Sequence, residues 1–291
     1  MEVSGLHLLL TYECNFECDH CFVWGGPRQS GTMRLADIRE ILRQAEDLRS
    51  IKWIYFEGGE PFLYYPILVT GVVEAAARGF RVGVVTNGYW ATEVEDAVAW
   101  LRPFKGLIED LSVSSDLYHW DEMISQRARN AADASERLDI PNGTISVAQP
   151  EDEDASLASL MFRGRAAEKL ASSVSHHAWW TFQACPYENL RDPGRLHIDP
   201  LGYVHICQGI SLGNLFHNPM GEIFAAFEPD VHPVISPLLH GGPAELARRY
   251  CVQPAEAYAD ACHLCYETRL DLRQRFPKIL APDQMYGSTS R

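Results

Sequence analysis

The chain has 291 residues, 46% of them hydrophobic and 22% charged, proportions of a folding globular protein rather than a disordered one, and a length that suits two domains or one barrel-sized domain with an appendage. Twenty-five basic against 39 acidic side chains leave a net charge of −14, so the average surface repels nucleic-acid phosphates and anionic lipid heads, and neither is an expected partner. Apolar runs fall far short of the ~20 residues of a bilayer span and no basic flank precedes Leu8 to Leu10, so the expected location is cytoplasmic.

Short β-rich runs alternate with helical patterns through the first half. Strands are predicted at Leu6 to Thr11, Trp53 to Glu57, Arg81 to Thr86, Asp110 to Ser115 and Thr144 to Ala148. Between them Leu35, Ile38, Ile41, Leu42, Ala45 and Leu48 recur at helical spacing, and Ile67 to Arg78 and Val94 to Leu101 are two further amphipathic stretches. This alternation predicts an α/β fold in which right-handed crossovers curl a parallel sheet into a full or partial barrel. In such folds chemistry gathers where strands end. Here those ends carry a cysteine cluster, then Gly58-Gly59-Glu60-Pro61, then Thr86-Asn87-Gly88, then Ser114-Ser115-Asp116.

An acidic segment, Glu151 to Asp154, follows the fifth strand, and Arg163, Gly164 and Arg165 lead into a short helix over Ala166 to Leu170. Beyond about residue 175 the chain is richer in Pro, Gly, His and Cys. Arg195 to Asp199 and Tyr203 to Cys207 read as a β-hairpin turning at Asp199-Pro200-Leu201-Gly202.

The eight cysteines fall into two groups, which in a cytosolic chain points to metal or cluster ligation before disulfides. Cys14, Cys18 and Cys21 have C-x3-C-x2-C spacing directly after a strand. Three thiolates so placed can wrap one iron–sulfur cluster and leave an iron open; zinc with His20 as fourth ligand and unrelated buried thiols are the alternatives. In the last third, Cys185, Cys207 and the C-x2-C pair Cys262 and Cys265 can supply four thiolates to a closed site. Cys251 is left as a spare thiol that could replace Cys185, and zinc is again an alternative. The histidines enriched here (His176, His177, His197, His205, His217, His232, His240 and His263) are given no role; His263 is read as shaping the loop between two ligands.

The three-cysteine motif after strand one, with Gly58-Gly59-Glu60-Pro61 after strand two, resembles the radical S-adenosylmethionine (radical SAM) superfamily over roughly residues 5 to 175. The later cysteines resemble the twitch domain, the short form of the SPASM extension, over about residues 180 to 270. The resemblance implies a partial (β/α)6 TIM-like barrel in residues 1–175 and a small α+β auxiliary-cluster domain in 176–291. It implies S-adenosylmethionine and two 4Fe-4S clusters as cofactors, and an electron donor such as flavodoxin or ferredoxin as partner. Glu60 would meet the SAM ammonium behind Gly58 and Gly59. Thr86, Asn87, Ser114, Asp116 and the strand around Ile145 to Val147 would serve its carboxylate, ribose and adenine. Arg165, and less so Arg163, would hold a carboxylate of SAM or substrate. Having His20 before the third cysteine departs from the aromatic residue many members carry there.

The expected reaction is abstraction of a substrate hydrogen by a 5′-deoxyadenosyl radical. A net two-electron oxidation of a small molecule would follow, with the auxiliary cluster taking the second electron and Glu188 or Asp199 a hydroxyl proton. A small molecule is preferred to a peptide because the first cysteine stands only at position 14, without room before it for a peptide-recognition domain. The alternatives are a peptide-modifying or sulfatase-maturase-like enzyme, a radical rearrangement, a glycyl-radical activase and a non-enzymatic metal- or cluster-bearing scaffold.

Overall fold

A computed structural model describes residues 1–150 and 157–288; the acidic segment Glu151 to Asp154 lies outside the described residues. The first half alternates as its periodicity predicts: β1 (Gly5–Thr11), α1 (Leu35–Leu48), β2 (Trp53–Gly58), α2 (Tyr65–Ala77), β3 (Arg81–Thr86), α3 (Val94–Leu101), β4 (Asp110–Ser114), α4 (Gln126–Arg137) and β5 (Asn142–Ile145). After α5 (Arg165–Lys169) come β6 (His177–Ala178), β7 (Arg195–Ile198), β8 (Tyr203–Cys207), β9 (Ile210–Asn214), α6 (Met220–Ala225), α7 (Ile235–Arg249), β10 (Ala257–Tyr258) and α8 (Ala261–Leu272). The helix α4 escaped the sequence reading because its buried stripe is built from Ala128, Ala131 and Ala134 with Asn130 and Ser135, not from large aliphatics.

Eight strands form one open sheet in the order β5-β4-β3-β2-β1-β7-β8-β9, parallel from β5 to β7 and antiparallel through the β7–β8–β9 meander. Among the described residues it is a partial barrel and does not close. Beyond β5 the parallel pairing continues, among the described residues, as the single bridge Val147 to Ala158. Because β7 pairs in register with β1, the change of composition near residue 175 does not divide the sheet.

The two faces of this sheet differ, as alternation along each strand allows. Leu6, Leu8, Leu10, Ile54, Phe56, Val82, Val84, Leu111, Val113, Leu196 and Ile198 point into the apolar core. The intervening residues His7, Tyr55, Glu57, Asp110, Ser112, Ser114, Arg195 and His197 line a cavity of about 610 Å³. Each fully buried aliphatic of the first set stabilises the fold by ~1.5–3 kcal/mol, whereas buried polar groups cost energy unless paired. The second face is therefore the one whose composition stability does not explain.

Candidate active site

The loop after β1 puts Cys14, Cys18 and Cys21 on the wall of that cavity. It is held from below and behind. The backbone amides of Phe16 and Gly25 donate to the sulfurs of Cys14 (3.4 Å) and Cys21 (3.2 Å), and the Asn87 side-chain amide lies 3.7 Å from the Cys14 sulfur. Arg165 donates from Nη1 to the Cys18 carbonyl (2.6 Å) and from Nη2 to the Gly25 carbonyl (2.7 Å). Arg165 thus braces the cysteine loop, and Arg163 lines the cavity. Burial pushes the Cys14 thiol up to about 12 and raises Cys18 as well, so cation binding there must displace protons.

Gly58 and Gly59 also line the cavity, and neither could carry a side chain. A Cβ on Gly58, whose φ is +135°, would lie 2.6 Å from the Thr11 carbonyl oxygen, and one on Gly59 would lie 2.1 Å from that of Glu13. Glu60 follows these glycines in sequence. It is fully buried, away from the cavity lining, and accepts from the Phe62 amide (3.0 Å), the Thr86 hydroxyl (2.8 Å) and the Asn87 amide (2.8 Å). Burial outweighs these three donors and pushes its carboxyl up to about 7. Its visible task is to tie the end of β2 to the end of β3, which sets Thr86 and Asn87 at the cavity.

Ser114 and Asp116 line the cavity at the end of β4. Asp116 accepts from the amides of Tyr118, His119 and Val147 and from the His119 ring (2.8 Å), joining β4 to the segment after β5. Burial works against its charge, but the His119 ring, His20 and the Val147 amide hold it below the usual carboxylate range. His20, from the cysteine loop, stands 5.1 Å from the His119 ring, and burial lowers it to about 4.

The two carboxylates expected to take a hydroxyl proton, Asp199 and Glu188, lie outside this lining. Asp199, fully buried at the hairpin turn, accepts from the Tyr12 hydroxyl (2.7 Å), from the amides of Leu201 and Tyr203 (2.9 Å each) and contacts His205 Nε2 at 3.1 Å. These partners saturate it within the fold, outside the cavity lining. Glu188 sits between Arg163 (3.4 Å) and Arg195 (3.8 Å), beside the second cysteine group. A further carboxylate on the cavity lining, beside Asp110 and Asp116, is Glu57, flanked by His7 and His197. Burial opposes its charge, yet the two imidazoles pull it well below the usual carboxylate range. The reading of the sequence missed this trio. The available signal was a histidine and a glutamate inside the otherwise apolar runs GLHLLLT and WIYFEG.

Cys185, Cys207, Cys262 and Cys265 line one small cavity with Arg163, Glu188 and Arg269; Cys251 is exposed and outside it. Four separate elements converge there. Cys185 lies next to Gln183 and Ala184, against which α7 closes at its Gly242 kink, where a Cβ would be 2.3 Å from the Ala184 nitrogen. Cys207 ends β8. The C-x2-C pair occupies the first turn of α8, not a loop, with Asp260 as N-cap accepting from the His263 amide (2.7 Å). Two buried guanidiniums face these thiols: Arg163 reaches the Cys207 sulfur at 3.4 Å, and Arg269 donates to the Gln208 carbonyl at 2.5 Å. Arg163 lines both cavities. No described helix is long and apolar enough to cross a membrane.

Residues 8–141 match the Radical SAM superfamily. YydG of Bacillus subtilis, a protein named for peptide biosynthesis, is 25% identical over 144 residues, 49% of this chain and 45% of YydG; the chain thus spans about half or less of the curated relatives it matches. The fold is shared with the structure of anSMEcpe with AdoMet and the Cp18Cys peptide, at TM-score 0.54 and 13% identity over 95% of this chain and 97% of that one. It is shared too with BtrN in complex with AdoMet and 2-DOIA, at TM-score 0.50 and 17% identity over 76% of this chain and 82% of that one.

Proposed function

Because a radical SAM domain occupies residues 8–141, we propose that this chain is an enzyme that removes a hydrogen atom from a small polar substrate in the sheet cavity, as part of a net two-electron oxidation. The observation that carries the reading is the meeting of Cys14, Cys18 and Cys21 with a polar strand face in one cavity of about 610 Å³. S-adenosylmethionine on a three-cysteine 4Fe-4S cluster supplies, when bound, a 5′-deoxyadenosyl radical. The three thiols would hold that cluster, with the amides of Phe16, Gly25 and Asn87 donating to their sulfurs. Gly58 and Gly59 would let the methionyl part approach bare backbone, and Thr86, Ser114 and Asp116 offer polar groups to the rest of the cofactor.

Cys185, Cys207, Cys262 and Cys265 would hold a second 4Fe-4S cluster, the acceptor of the second electron, with Arg163 and Arg269 offsetting its negative charge. Among the described residues no three of these sulfurs lie within 4.8 Å of one another, whereas zinc with ~2.3 Å bonds would draw tetrahedral thiolates to about 3.8 Å. Replacing Cys14, Cys18 and Cys21 together by Ala should abolish 5′-deoxyadenosine formation under anaerobic reduction; undiminished cleavage of S-adenosylmethionine would overturn the reading. A peptide substrate is the second reading, favoured by the name of YydG and the peptide in the anSMEcpe complex. Deuterium at the reacting carbon of the true substrate should appear in 5′-deoxyadenosine, with one S-adenosylmethionine consumed per product.

A further inference from the structure

His7, Glu57 and His197 come from β1, β2 and β7, and β1 lies between the other two. His7 pairs in register with His197 across one ladder, and Leu9 with Glu57 across the other. His7 Nδ1 lies 2.9 Å from Glu57 Oε2, and His197 Nε2 lies 3.3 Å from Glu57 Oε1. One donor atom from each of the three falls within 4.8 Å of the others, and all three residues line the cavity. The other ring nitrogen of His197, Nδ1, is buried without a hydrogen-bond partner.

We propose that His7, Glu57 and His197 form a binding site for one divalent transition-metal ion, whose open positions face the cavity and take an oxygen of the substrate. Two imidazoles and a carboxylate are a borderline donor set that suits iron, zinc, cobalt or manganese and contains no thiol to recruit an iron–sulfur cluster. The separations of 2.9 and 3.3 Å resemble the ~3 Å between adjacent ligands of an ion with bonds of about 2.1 Å. Placement agrees too. His7 is four residues before the end of β1, about 13 Å down the strand from the start of the cysteine loop, so an ion there would grip the far end of a substrate whose near end meets the radical. Arg195, the cationic neighbour in the same cavity, has its guanidinium 3.8 Å from Glu188. The ion site needs only these three residues, whereas the contact of its open positions with a substrate oxygen rests on the hydrogen-abstraction reading.

The test uses the Cys251→Ala protein with its cysteine sites loaded with iron, stripped of non-cluster metal by a chelator and oxidised, which keeps the clusters silent in electron paramagnetic resonance. Titration with Mn²⁺, followed by loss of the free-ion signal, should show one ion per chain, displaced by Zn²⁺. Glu57→Gln and His197→Asn should each weaken binding at least about tenfold while iron content and visible absorption stay at the parent level. His7→Gln, at the most exposed of the three side chains, gives the same reading if either variant loses iron. His119→Ala, in the other histidine–carboxylate group of the cavity, should bind Mn²⁺ like the parent. Absence of a stoichiometric ion in the parent, parent-like affinity in all three lumen variants, or loss confined to His119→Ala would each overturn the site and leave a hydrogen-bonded brace.

Discussion

Asp199, read from the sequence as a proton acceptor, and Glu60, read as a partner of the SAM ammonium, are both carboxylates that the fold buries among its own donors. Asp199 is held by Tyr12, His205 and two turn amides, so Asp199→Asn should lower stability by ~1–3 kcal/mol through mismatched donors. Cleavage of S-adenosylmethionine should persist; a variant as stable as the parent but unable to oxidise substrate would restore Asp199 to the chemistry. Glu60 makes a prediction in pH. Its folded value of about 7 lies above the ordinary 4.5, so stability present in full below pH 4.5 is lost as pH rises toward 7, because the unfolded chain releases that proton first. Glu60→Gln removes the dependence. Denaturant unfolding should show the variant gaining on the parent across that window by at most about 3 kcal/mol, and parallel pH curves for the two proteins would refute it.

At the scale of elements, the site depends on strands ending where backbone can approach backbone. The β2 end folds against the β1 end so closely that the amide of Gly59 donates to the Thr11 carbonyl at 2.7 Å and that of Glu60 to the Glu13 carbonyl at 2.9 Å. With a Cβ at position 59 only 2.1 Å from the Glu13 oxygen, Gly59→Ala must push the cysteine loop outward. The expected result is a loss of several kcal/mol in stability, of the order seen for severe overpacking, together with loss of iron at the first cysteine group. Retention of full iron and parent stability would mean the loop can move without cost. The kink of α7 at Gly241 and Gly242 plays the matching part beside Cys185, and the N-capped first turn of α8 presents Cys262 and Cys265 on one face.

Over the whole molecule the two cysteine groups are joined through Arg163, whose guanidinium stands 5.5 Å from the Phe22 ring, next to Cys21, and 3.4 Å from the Cys207 sulfur. With a four-iron cluster at each group, anaerobically reconstituted protein should hold about eight irons, and the Cys14, Cys18 and Cys21 triple variant about four. Elemental analysis with visible spectroscopy checks this. Four irons with one zinc would overturn the second cluster. Since Cys251 is exposed and outside the C-terminal cavity, Cys251→Ala should change neither count.

The sequence by itself determined the strand–helix alternation, the hairpin at Asp199 to Gly202 and both cysteine groups, because each is a local signal: a period of two or 3.6, a turn composition, a spacing of thiols. What lay beyond it were relations between distant segments. Local pattern cannot say that β7 pairs with β1 and so brings His197 to His7, 190 residues earlier in the chain. Nor can it say that Glu60 and Asp199 turn inward to saturated partners while Glu57 faces the cavity. Which face of a strand meets solvent, substrate or core is fixed only when the sheet curves and its neighbours arrive, and that decided which of the carboxylates legible in the sequence stand where chemistry can reach them.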